Sequence, residues 1–383
     1  MDTVGIICEY NPFHNGHVYH LKKIKELFPN SIIILIMSGN FTQRGIPSII
    51  DKWDKTEIAL EYGIDLVVEL PFPFASQSAD IFAHGAISIL RELKVNYLIF
   101  GSESNSIDKL KEMVNYTLNV SSYQEKTKEY LKKGYNYPTA LNMAFPKKYD
   151  GIDAPNDLLA FSYIKEITVQ KANITPISIK RTNSYHSTEL QEISSATSIR
   201  GALIKKDDVS NCVPKITNDK LKKHIYLHDD YFKFLKYKIL SSPDLTIYQT
   251  VDEGIDSRIK KNIVNASSWD ELVQNIKTKR YTYNRINRML IHILCNFTKE
   301  QAQKWKDITY IRILGFSEDG QQYLNSIKKI LSLPLVTTFS KCKDEMLQYE
   351  QTVTAVYASV LPEEDKNNMI KSEYKNQPKM RER

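Results

Sequence analysis

Short apolar runs alternate with amphipathic stretches throughout the first 200 residues of the chain. The runs show no two-residue alternation of apolar and polar positions, which is typical of strands that helices cover on both faces. Between the runs, apolar residues recur at the three- and four-residue spacing of a helix. We therefore predict strands over residues 4–8, 32–37, 64–70, 97–100 and 175–179, and helices over residues 16–28, 51–62 and 79–93.

This succession of strands and helices predicts a parallel sheet built from βαβ units. Because the crossovers in such units are right-handed, we expect an α/β fold with a doubly wound, Rossmann-like sheet. Ligands bind to sheets of this kind beyond the carboxyl ends of the strands, where the strand order reverses. The loops that follow Cys8 and Phe100 are therefore the first candidates for a site.

The pattern changes after residue 200. The remaining residues lack repeated βα units and are rich in Lys, Tyr, Asn and Ile. We expect an α/β domain over 1–200, then a mainly α-helical C-terminal region over 201–383 whose polar tail frays from Glu363. Helical periodicity is clearest over residues 231–240, 269–277, 283–295 and 318–331.

The composition is that of a globular protein, since 42% of the 383 residues are hydrophobic and 25% are charged. The longest apolar run, residues 32–37, is far shorter than the ~18 residues needed to cross a bilayer. The first residues show no basic segment followed by an apolar one, so we expect no secretory signal. The four cysteines are scattered and lack the spacing of metal ligands. We therefore expect a cytoplasmic protein without a structural metal.

The positive charge is unevenly distributed. Residues 1–200 hold 21 Lys and Arg against 22 Asp and Glu, whereas residues 201–383 hold 31 against 23. All of the net charge of +7 therefore comes from the second half. A basic balance of this kind favours a polyanionic partner such as nucleic acid, although solvated lysine-rich helices give the same count.

The strongest chemical signal lies in the loop after the first predicted strand, within residues 7–20. It carries the pattern H-x-G-H, formed by His14, Gly16 and His17, where a strand gives way to a helix. The unpaired N–H groups and positive dipole of a helix start favour phosphate, and a glycine lets phosphate approach the backbone. Two imidazoles three residues apart can also donate ring N–H groups to a triphosphate. The alternative is a pair of histidines that cap a surface helix.

A second candidate segment, residues 192–200, places hydroxyl groups at an apparent helix start. Ser195 and Thr197 lie at the predicted N-terminus, and Arg200 follows within about one or two turns. Hydroxyls, helix N–H groups and a guanidinium form a suitable cradle for phosphates. Alone, such a segment is usually only a helix cap. With H-x-G-H upstream, it predicts the second half of a triphosphate site.

One segment of the basic half, residues 277–288, interleaves cations with aromatic side chains. Cations meet phosphates, and tyrosine rings offer a stacking face to unpaired bases. An equally weighted alternative is a solvated helix face with Tyr283 and Ile286 in the core. The candidate nucleic-acid-binding residues are Lys279, Arg280, Tyr281, Tyr283, Arg285 and Arg288.

The H-x-G-H loop and the later I-S-S-A-T-S-I-R segment resemble the nucleotidyltransferase superfamily. Further blocks resemble the bacterial tRNA(Met) cytidine acetate ligases in particular, and together they cover nearly the whole chain. These blocks are E-Y-N-P-F-H-N-G-H at 9–17, G-N-F-T-Q-R-G at 39–45, D-K-W at 51–53, E-L-P-F-P at 69–73, F-G-S-E at 100–103, P-N-D at 155–157 and K-R-Y-T-Y-N-R-I-N-R at 279–288.

The resemblance implies an enzyme that forms acetyl-adenylate from ATP and acetate and releases pyrophosphate, with Mg²⁺ expected alongside ATP. It implies that the acetyl group then passes to N4 of the wobble cytidine of elongator tRNA(Met). By position, it also implies an ATP site completed by Gly101, Asn156 and Arg181. The remaining residues of that implied site are Ile7, Cys8, Glu9, Tyr10, Asn11, Pro12, Phe13, His14, Asn15, Gly16, His17, Val18, Tyr19 and His20.

The residue types suit this chemistry, because the α-phosphorus passes through a charge-dense state that preorganised donors stabilise. We assign His14, His17 and Arg200 to that stabilisation, and no residue to the base for acetyl transfer. Asn40, Gln43, Arg44 and Lys52 follow the second predicted strand at the same sheet edge. They suit contacts with acetate, pyrophosphate or tRNA as well as they suit capping a helix.

Two further hypotheses stay open. The chain suits a small-molecule adenylyltransferase, of the nicotinate mononucleotide or phosphopantetheine type, with an unrelated helical extension. It also suits a tRNA-binding protein that keeps an inactive nucleotide fold, although the paired histidines and Arg200 argue against inertness. The three hypotheses differ in which co-substrate, if any, supports exchange between ATP and pyrophosphate.

Overall fold

The computed structural model of the chain describes residues 1–149, 152, 154–181 and 192–381. Within these residues, eight strands form one sheet. The strands are β1 Thr3–Cys8, β2 Ile32–Ser38, β3 Leu66–Leu70, β4 Tyr97–Ser102, β5 Thr175–Lys180, β6 Ile311–Ser317, β7 Leu335–Val336 and β8 Lys379–Arg381.

Helices cover both faces of the sheet, and 3₁₀ turns lie at His228–Tyr231 and Phe339–Lys341. The helices of the first half are α1 Asn15–Leu27, α2 Lys52–Glu61, α3 Phe72–Ala75, α4 Ala79–Glu92, α5 Ile107–Asn119, α6 Ser121–Lys132, α7 Tyr137–Ala144, α8 Pro155–Val169 and α9 Ala196–Lys205. Those of the second half are α10 Lys215–Leu221, α11 Phe232–Ser241, α12 Ile255–Ile263, α13 Trp269–Ile276, α14 Tyr283–Leu294, α15 Lys299–Lys304, α16 Glu318–Ile327, α17 Glu345–Ala358 and α18 Glu363–Lys375.

The strand order is β5-β4-β1-β2-β3-β6-β7, with β8 also paired to β6. Strands β1 to β5 are mutually parallel, which confirms the predicted doubly wound sheet. The chain moves outward in one direction from β1 to β3 and in the other from β4 to β5. The order therefore reverses between β1 and β4, whose carboxyl-end loops open at the same edge of the sheet.

Alternate residues of the central strands pack into two apolar layers, one on each face of the sheet. On β2, Ile34 and Ile36 pack into the layer that contains Phe82 of α4. The intervening Leu35 and Met37 pack into the layer that contains Leu21 of α1. This two-sided burial is the reason that β2 is apolar at every position up to Met37.

The C-terminal region is mainly helical, as predicted, and it also supplies three strands that the sequence analysis missed. Strand β6 runs antiparallel to β3, with Leu66 opposite Phe316 and Glu69 opposite Arg312. Strands β7 and β8 both pair with β6. The sheet therefore joins the two sides of the predicted division at residue 200, and that division stays a prediction.

The expectation that the chain frays from Glu363 is wrong, because α18 and β8 lie beyond that point. Lys52 and Arg312 bind the Glu373 carboxylate of α18 and the Glu69 carboxylate of β3. Their side chains are at most 4% exposed, so these four residues form a buried charge network. Charges this deeply buried persist only when they are paired. The network accounts for Lys52, which the sequence placed among the candidate site residues.

No helix in the described part of the chain is long and apolar enough to cross a membrane.

Candidate active site

A cavity of about 470 Å³ opens at the sheet edge where the strand order reverses. The loop after β1, the end of β4, the N-termini of α1 and α9, and parts of α4, α7, α8 and α14 line it. This volume is typical of small-molecule sites. The loop after Cys8 and Gly101, which follows Phe100, therefore meet in one cavity, as the strand order predicts.

Ten of the fourteen residues predicted to surround ATP line this cavity. Pro12, Phe13, Asn15 and Val18 are not among its described lining residues, and two of these four support it from behind. Phe13 is buried against the His17 ring, and Asn15 donates to the carbonyls of Glu192 and Asn211. The lining residues are Ile7, Cys8, Glu9, Tyr10, Asn11, His14, Gly16, His17, Tyr19 and His20.

His14 and His17 cap the start of α1 with their own rings. The Nδ1 atom of His14 accepts from the Gly16 N–H at 3.1 Å, and the Nδ1 atom of His17 accepts from the His14 N–H at 3.2 Å. The two ring centroids lie 3.8 Å apart. Because an accepting Nδ1 carries no proton, each neutral ring carries its proton on Nε2. Capping therefore sets the tautomer that leaves an Nε2–H donor on each ring.

Both rings are held neutral. Burial, reinforced by Arg181 and Arg200, lowers the pKa of His14 to about 3. Burial, with His14, His20 and Arg181, also lowers the pKa of His17 well below its ordinary value. Neutral imidazoles with fixed Nε2–H groups are hydrogen-bond donors rather than a source of full charge. The alternative that the histidines cap a helix is therefore true, and it is compatible with a role in the site. Capping occupies Nδ1 of each ring and leaves Nε2–H as a donor.

Gly16 is required by the His14 ring rather than only by a ligand. A Cβ at this position would lie 2.8 Å from Cε1 and 2.9 Å from Nδ1 of His14. Such contacts are too close, so an added methyl group would displace the ring. The sequence analysis named phosphate approach as the reason for this glycine, and the packing of His14 is a second reason.

We expect Gly16→Ala to lower ATP–pyrophosphate exchange about 100-fold, the usual cost of misplacing a catalytic group by about 1 Å. Urea unfolding of the same variant should show a folded protein, because alanine favours a helix. Gly201→Ala in α9 is the matched control, since its Cβ would meet nothing within 4 Å. The control should leave exchange unchanged and stabilise the fold by about 0.5–1 kcal/mol. Wild-type exchange by Gly16→Ala would contradict the role assigned to the His14 position.

The second predicted segment reaches the same cavity. Ser195 caps α9, with its Oγ accepting from the Ser198 N–H at 3.1 Å. Arg200 donates to the Asn11 carbonyl at 2.6 Å and to Thr197 Oγ1 at 3.3 Å. Ser195, Thr197 and Arg200 all line the cavity. The N-termini of α1 and α9 therefore contribute to one wall, tied together by the Arg200 guanidinium.

Gly101, Asn156 and Arg181 also line the cavity, and Glu103 positions two of them. The Glu103 carboxylate accepts from the Asn156 side-chain amide at 2.5 Å and lies 3.9 Å from Arg181 Nε. Arg181 Nε is buried without a hydrogen-bond partner among the described residues. A buried donor that makes no hydrogen bond within the described residues suits an anionic or carbonyl oxygen of a ligand. Glu103 lies in the F-G-S-E block, but its partners could not be predicted from the sequence.

Asp157 fastens the loop after β4. Its carboxylate accepts from Ser102 Oγ at 2.5 Å and from the backbone N–H groups of Glu103 and Ser104. These contacts bring the start of α8, and with it Asn156, to the end of β4. Asp157 is a supporting residue that the sequence analysis did not single out.

Lys55 of α2 is another residue that the sequence analysis missed. Its fully buried ammonium donates to the carbonyls of Glu9, Ser38 and Gly39 at 2.7–3.0 Å. It thus ties the end of β2 to the loop after β1. Burial lowers the pKa of Lys55 to about 7.

The four polar residues after the second strand divide between two roles. Gln43 and Arg44 line the cavity, with the Gln43 N–H donating to Glu9 Oε1 and the Arg44 guanidinium to Thr197 Oγ1. Asn40 is buried and donates to Thr354, and Lys52 belongs to the buried charge network. Only the first pair is therefore placed to meet a ligand.

The cavity wall is electropositive. Among its described lining residues, four arginines and Lys180 stand against the carboxylates of Glu9 and Asp80. The Nε2 atom of His20 is buried there without a partner in the described chain, and burial lowers the pKa of His20 to about 4. Guanidinium groups and neutral imidazole donors suit a polyphosphate. The arginines are Arg44, Arg181, Arg200 and Arg288.

The predicted nucleic-acid segment adjoins the cavity through the start of α14. Arg288 lines the cavity and donates to the Gln43 carbonyl at 3.3 Å. Thr282 and Asn284 also line it. The nucleic-acid role of the segment stays a prediction, and Arg288 is better placed for the nucleotide side than for an outer RNA surface.

Three other members of the segment are engaged within the protein. Tyr281 is only 7% exposed, with the Arg285 guanidinium 4.6 Å from its ring centroid. A ring that is this buried offers little surface for stacking on a base, and the nucleic-acid role of Tyr281 stays a prediction. Arg280 pairs with Glu253, and Tyr283 donates to Asp270. Lys279 is exposed.

The comparisons with known proteins agree with this geometry. A family model described as HIGH Nucleotidyl Transferase matches residues 1–373. The tRNA(Met) cytidine acetate ligase of Anoxybacillus flavithermus is 41% identical, with 99% of this chain and 100% of that protein covered. The tRNA(Met) cytidine acetate ligase of a Geobacillus species is 40% identical over 99% of each chain.

A solved structure is similar over the same extent. The crystal structure of Thermotoga maritima TmcAL bound with alpha-thio ATP has a TM-score of 0.91 and 30% sequence identity, with 99% of each chain covered. The fold and the H-x-G-H turn thus define a nucleotidyltransferase of the HIGH class. Within that class, the chain belongs to the tRNA(Met) cytidine acetate ligase family.

Proposed function

We propose that this protein activates acetate with ATP and transfers the acetyl group to N4 of the wobble cytidine of elongator tRNA(Met). In the first step an acetate oxygen attacks the α-phosphorus of ATP, forming acetyl-adenylate and releasing pyrophosphate. In the second step the cytidine amine attacks the acetyl carbonyl, and AMP leaves. We expect the enzyme to act in the cytoplasm, where the tRNA is found.

One observation carries the proposal: two neutral imidazoles with fixed Nε2–H groups share a cavity with Arg200. The first step concentrates charge on the phosphoryl oxygens of the transition state. Donors that capping has already oriented stabilise that charge without reorganising at the moment of reaction. The geometry supports His14 and His17 as stabilisers rather than as a general base, because Nδ1 of each ring is occupied by a backbone N–H.

The described residues include no group of three or more His, Cys, Asp or Glu side chains arranged to hold a metal ion. We expect Mg²⁺ to arrive as a companion of the triphosphate, where it would help to neutralise phosphate charge. The cavity residues carry the rest of the binding. Arg200 and Arg181 provide cations in the cavity lining.

Pyrophosphate exchange tests the proposal. We expect acetate to support exchange of labelled pyrophosphate into ATP without tRNA present. Nicotinate mononucleotide and phosphopantetheine should support none. Exchange with either of these instead of acetate would favour the small-molecule adenylyltransferase, and a protein that binds tRNA without any exchange would favour the inactive fold.

The exposed lysine of the basic segment provides a separate test of RNA binding. We expect Lys279→Ala to weaken tRNA binding and to lower the slope of log K against log salt by about 1, because one phosphate contact is lost. Exchange should stay unchanged, since the ammonium is exposed and outside the cavity lining. Filter binding between low and physiological salt measures the slope. An unchanged slope would exclude Lys279 from the RNA surface.

A further inference from the structure

The cavity has a further wall, formed by the starts of α4 and α7 together with residues 158–163 of α8, that the nucleotide site leaves unexplained. Asp80, the second residue of α4, lies in this wall and supplies one of the two carboxylates in the described lining. Its side chain is 28% exposed. Because a carboxylate repels phosphate, the nucleotide alone does not account for Asp80 in this wall.

The protein holds the Asp80 carboxylate in place without enclosing it. Oδ2 accepts from the Tyr137 hydroxyl of α7 at 3.0 Å. Oδ1 lies 3.5 Å from both Lys165 Nζ and Ser162 Oγ. A carboxylate offers about four acceptor positions. These contacts orient Asp80 and leave it able to accept from a ligand.

Asp80 is situated between the nucleotide loops and the basic segment. On one side, the Gln43 side-chain amide donates to the Gln77 carbonyl at 2.9 Å, so the chain just before α4 is tied to the loop that meets Arg44. On the other side, the Asn136 side-chain amide donates to the Lys279 carbonyl at 3.3 Å. Asn136 caps α7, which carries Tyr137. Hydrogen bonds therefore link the surroundings of Asp80 both to the nucleotide loops and to the basic segment.

We propose that Asp80 binds the exocyclic amine of the target cytosine and receives its proton during acetyl transfer. This inference rests on the proposed function, which supplies cytidine as the acceptor. Carboxylates recognise cytosine through its N4 amine, and uracil presents an acceptor at the same position. Asp80 thus takes the role of base for acetyl transfer, to which no residue could be assigned from the sequence. Tyr137 is its positioning residue.

The step balances. The N4 lone pair forms a C–N bond to the acetyl carbon, and the C–O bond to the adenylate phosphate breaks. AMP leaves with that electron pair. One N4 proton passes to the Asp80 carboxylate and from there to solvent, so the products are the N-acetylated base and AMP. A positioned base of this kind contributes about 10²- to 10⁴-fold.

The experiment compares Asp80→Asn and Asp80→Ala with Asp108→Asn. Asp108 is the matched control, because it is also the second residue of a helix, is exposed, and lies outside the cavity lining. We expect Asp80→Asn to keep acetate-dependent exchange while its single-turnover acetyl transfer falls at least about 100-fold. Asp108→Asn should retain both. Melting curves of the three variants report folding.

A second readout detects recognition directly. Wild-type protein should bind tRNA(Met) more tightly than the same tRNA with uridine at the target position, by about fivefold or more. Asp80→Ala should lose that preference. Asp80→Asn keeps a carbonyl acceptor and should retain part of it. A purely structural role of Asp80 would leave the ratio of the affinities for the cytidine and uridine forms of the tRNA unchanged.

The outcomes separate the inference from the function on which it rests. Wild-type transfer and an unchanged cytidine preference in the Asp80 variants would overturn the role of Asp80 and leave acetate activation standing. Loss of exchange in a folded Asp80→Asn protein would also overturn it, because the carboxylate would then serve the nucleotide step. Absence of acetate-dependent exchange in the wild-type protein would overturn the proposed function itself, and the inference with it.

Discussion

Replacing either imidazole of the H-x-G-H turn should lower acetate-dependent pyrophosphate exchange by about 10²- to 10³-fold, the cost of removing one preorganised donor to developing charge. His14→Asn is the sharper variant, because asparagine is a good N-cap residue and keeps the start of α1 while the ring donor is lost. His17→Ala removes the second donor, together with its packing against Tyr10 and Phe13. Initial rates of exchange at saturating acetate measure the loss.

His224→Ala is the control for these two variants, since His224 is exposed and outside the cavity lining. It should exchange at the wild-type rate. All three variants should bind tRNA as the wild-type protein does, because the histidines of the turn act on the nucleotide. Wild-type exchange by a folded His14→Asn protein would remove the imidazole from the reaction.

Lys52→Met should lower the free energy of unfolding by about 3–5 kcal/mol, the usual cost of removing one partner from a buried ion pair. The change leaves the Glu69 and Glu373 carboxylates with Arg312 as the only cation of the buried charge network. Methionine fills a similar volume, so the loss reports uncompensated charge rather than a cavity. Urea unfolding of wild type and variant measures the difference.

Lys366→Met is the matched control, because Lys366 of α18 pairs with Glu363 at the protein surface. Surface pairs contribute about 0–1 kcal/mol, so its stability should be close to that of the wild type. Equal stability of the two variants would show that the buried charge network does not hold α18 against the sheet.

The first five strands were predictable because their information is local. Strand β2 is the clearest example, since it is a continuous apolar run up to Met37 and helices on both faces require that pattern. Strand β6 carries Arg312 within its run, which argues against a buried strand until its partners are known. Those partners are Glu69, 243 residues earlier, and Glu373 in the tail. These residues are far apart along the chain, so their pairing could not be predicted. For this reason Lys52 was predicted to belong to a candidate site and the C-terminal tail was predicted to fray.

The same distinction separates the site residues. His14, Gly16 and His17 were recognisable because their spacing alone carries the chemistry. Glu103 and Lys55 act through hydrogen bonds to residues far along the chain, and such contacts cannot be predicted from the spacing of residues.

Helices α5 to α8, between β4 and β5, were not predicted from the sequence.

The most direct test of the central claim is a crystal structure with a non-hydrolysable ATP analogue. The account predicts phosphate oxygens within about 3.2 Å of Nε2 of both His14 and His17, the range of an N–H···O hydrogen bond. It also predicts that the Arg200 guanidinium contacts the same triphosphate. A nucleotide seated elsewhere, with both imidazole Nε2 atoms facing water, would contradict it.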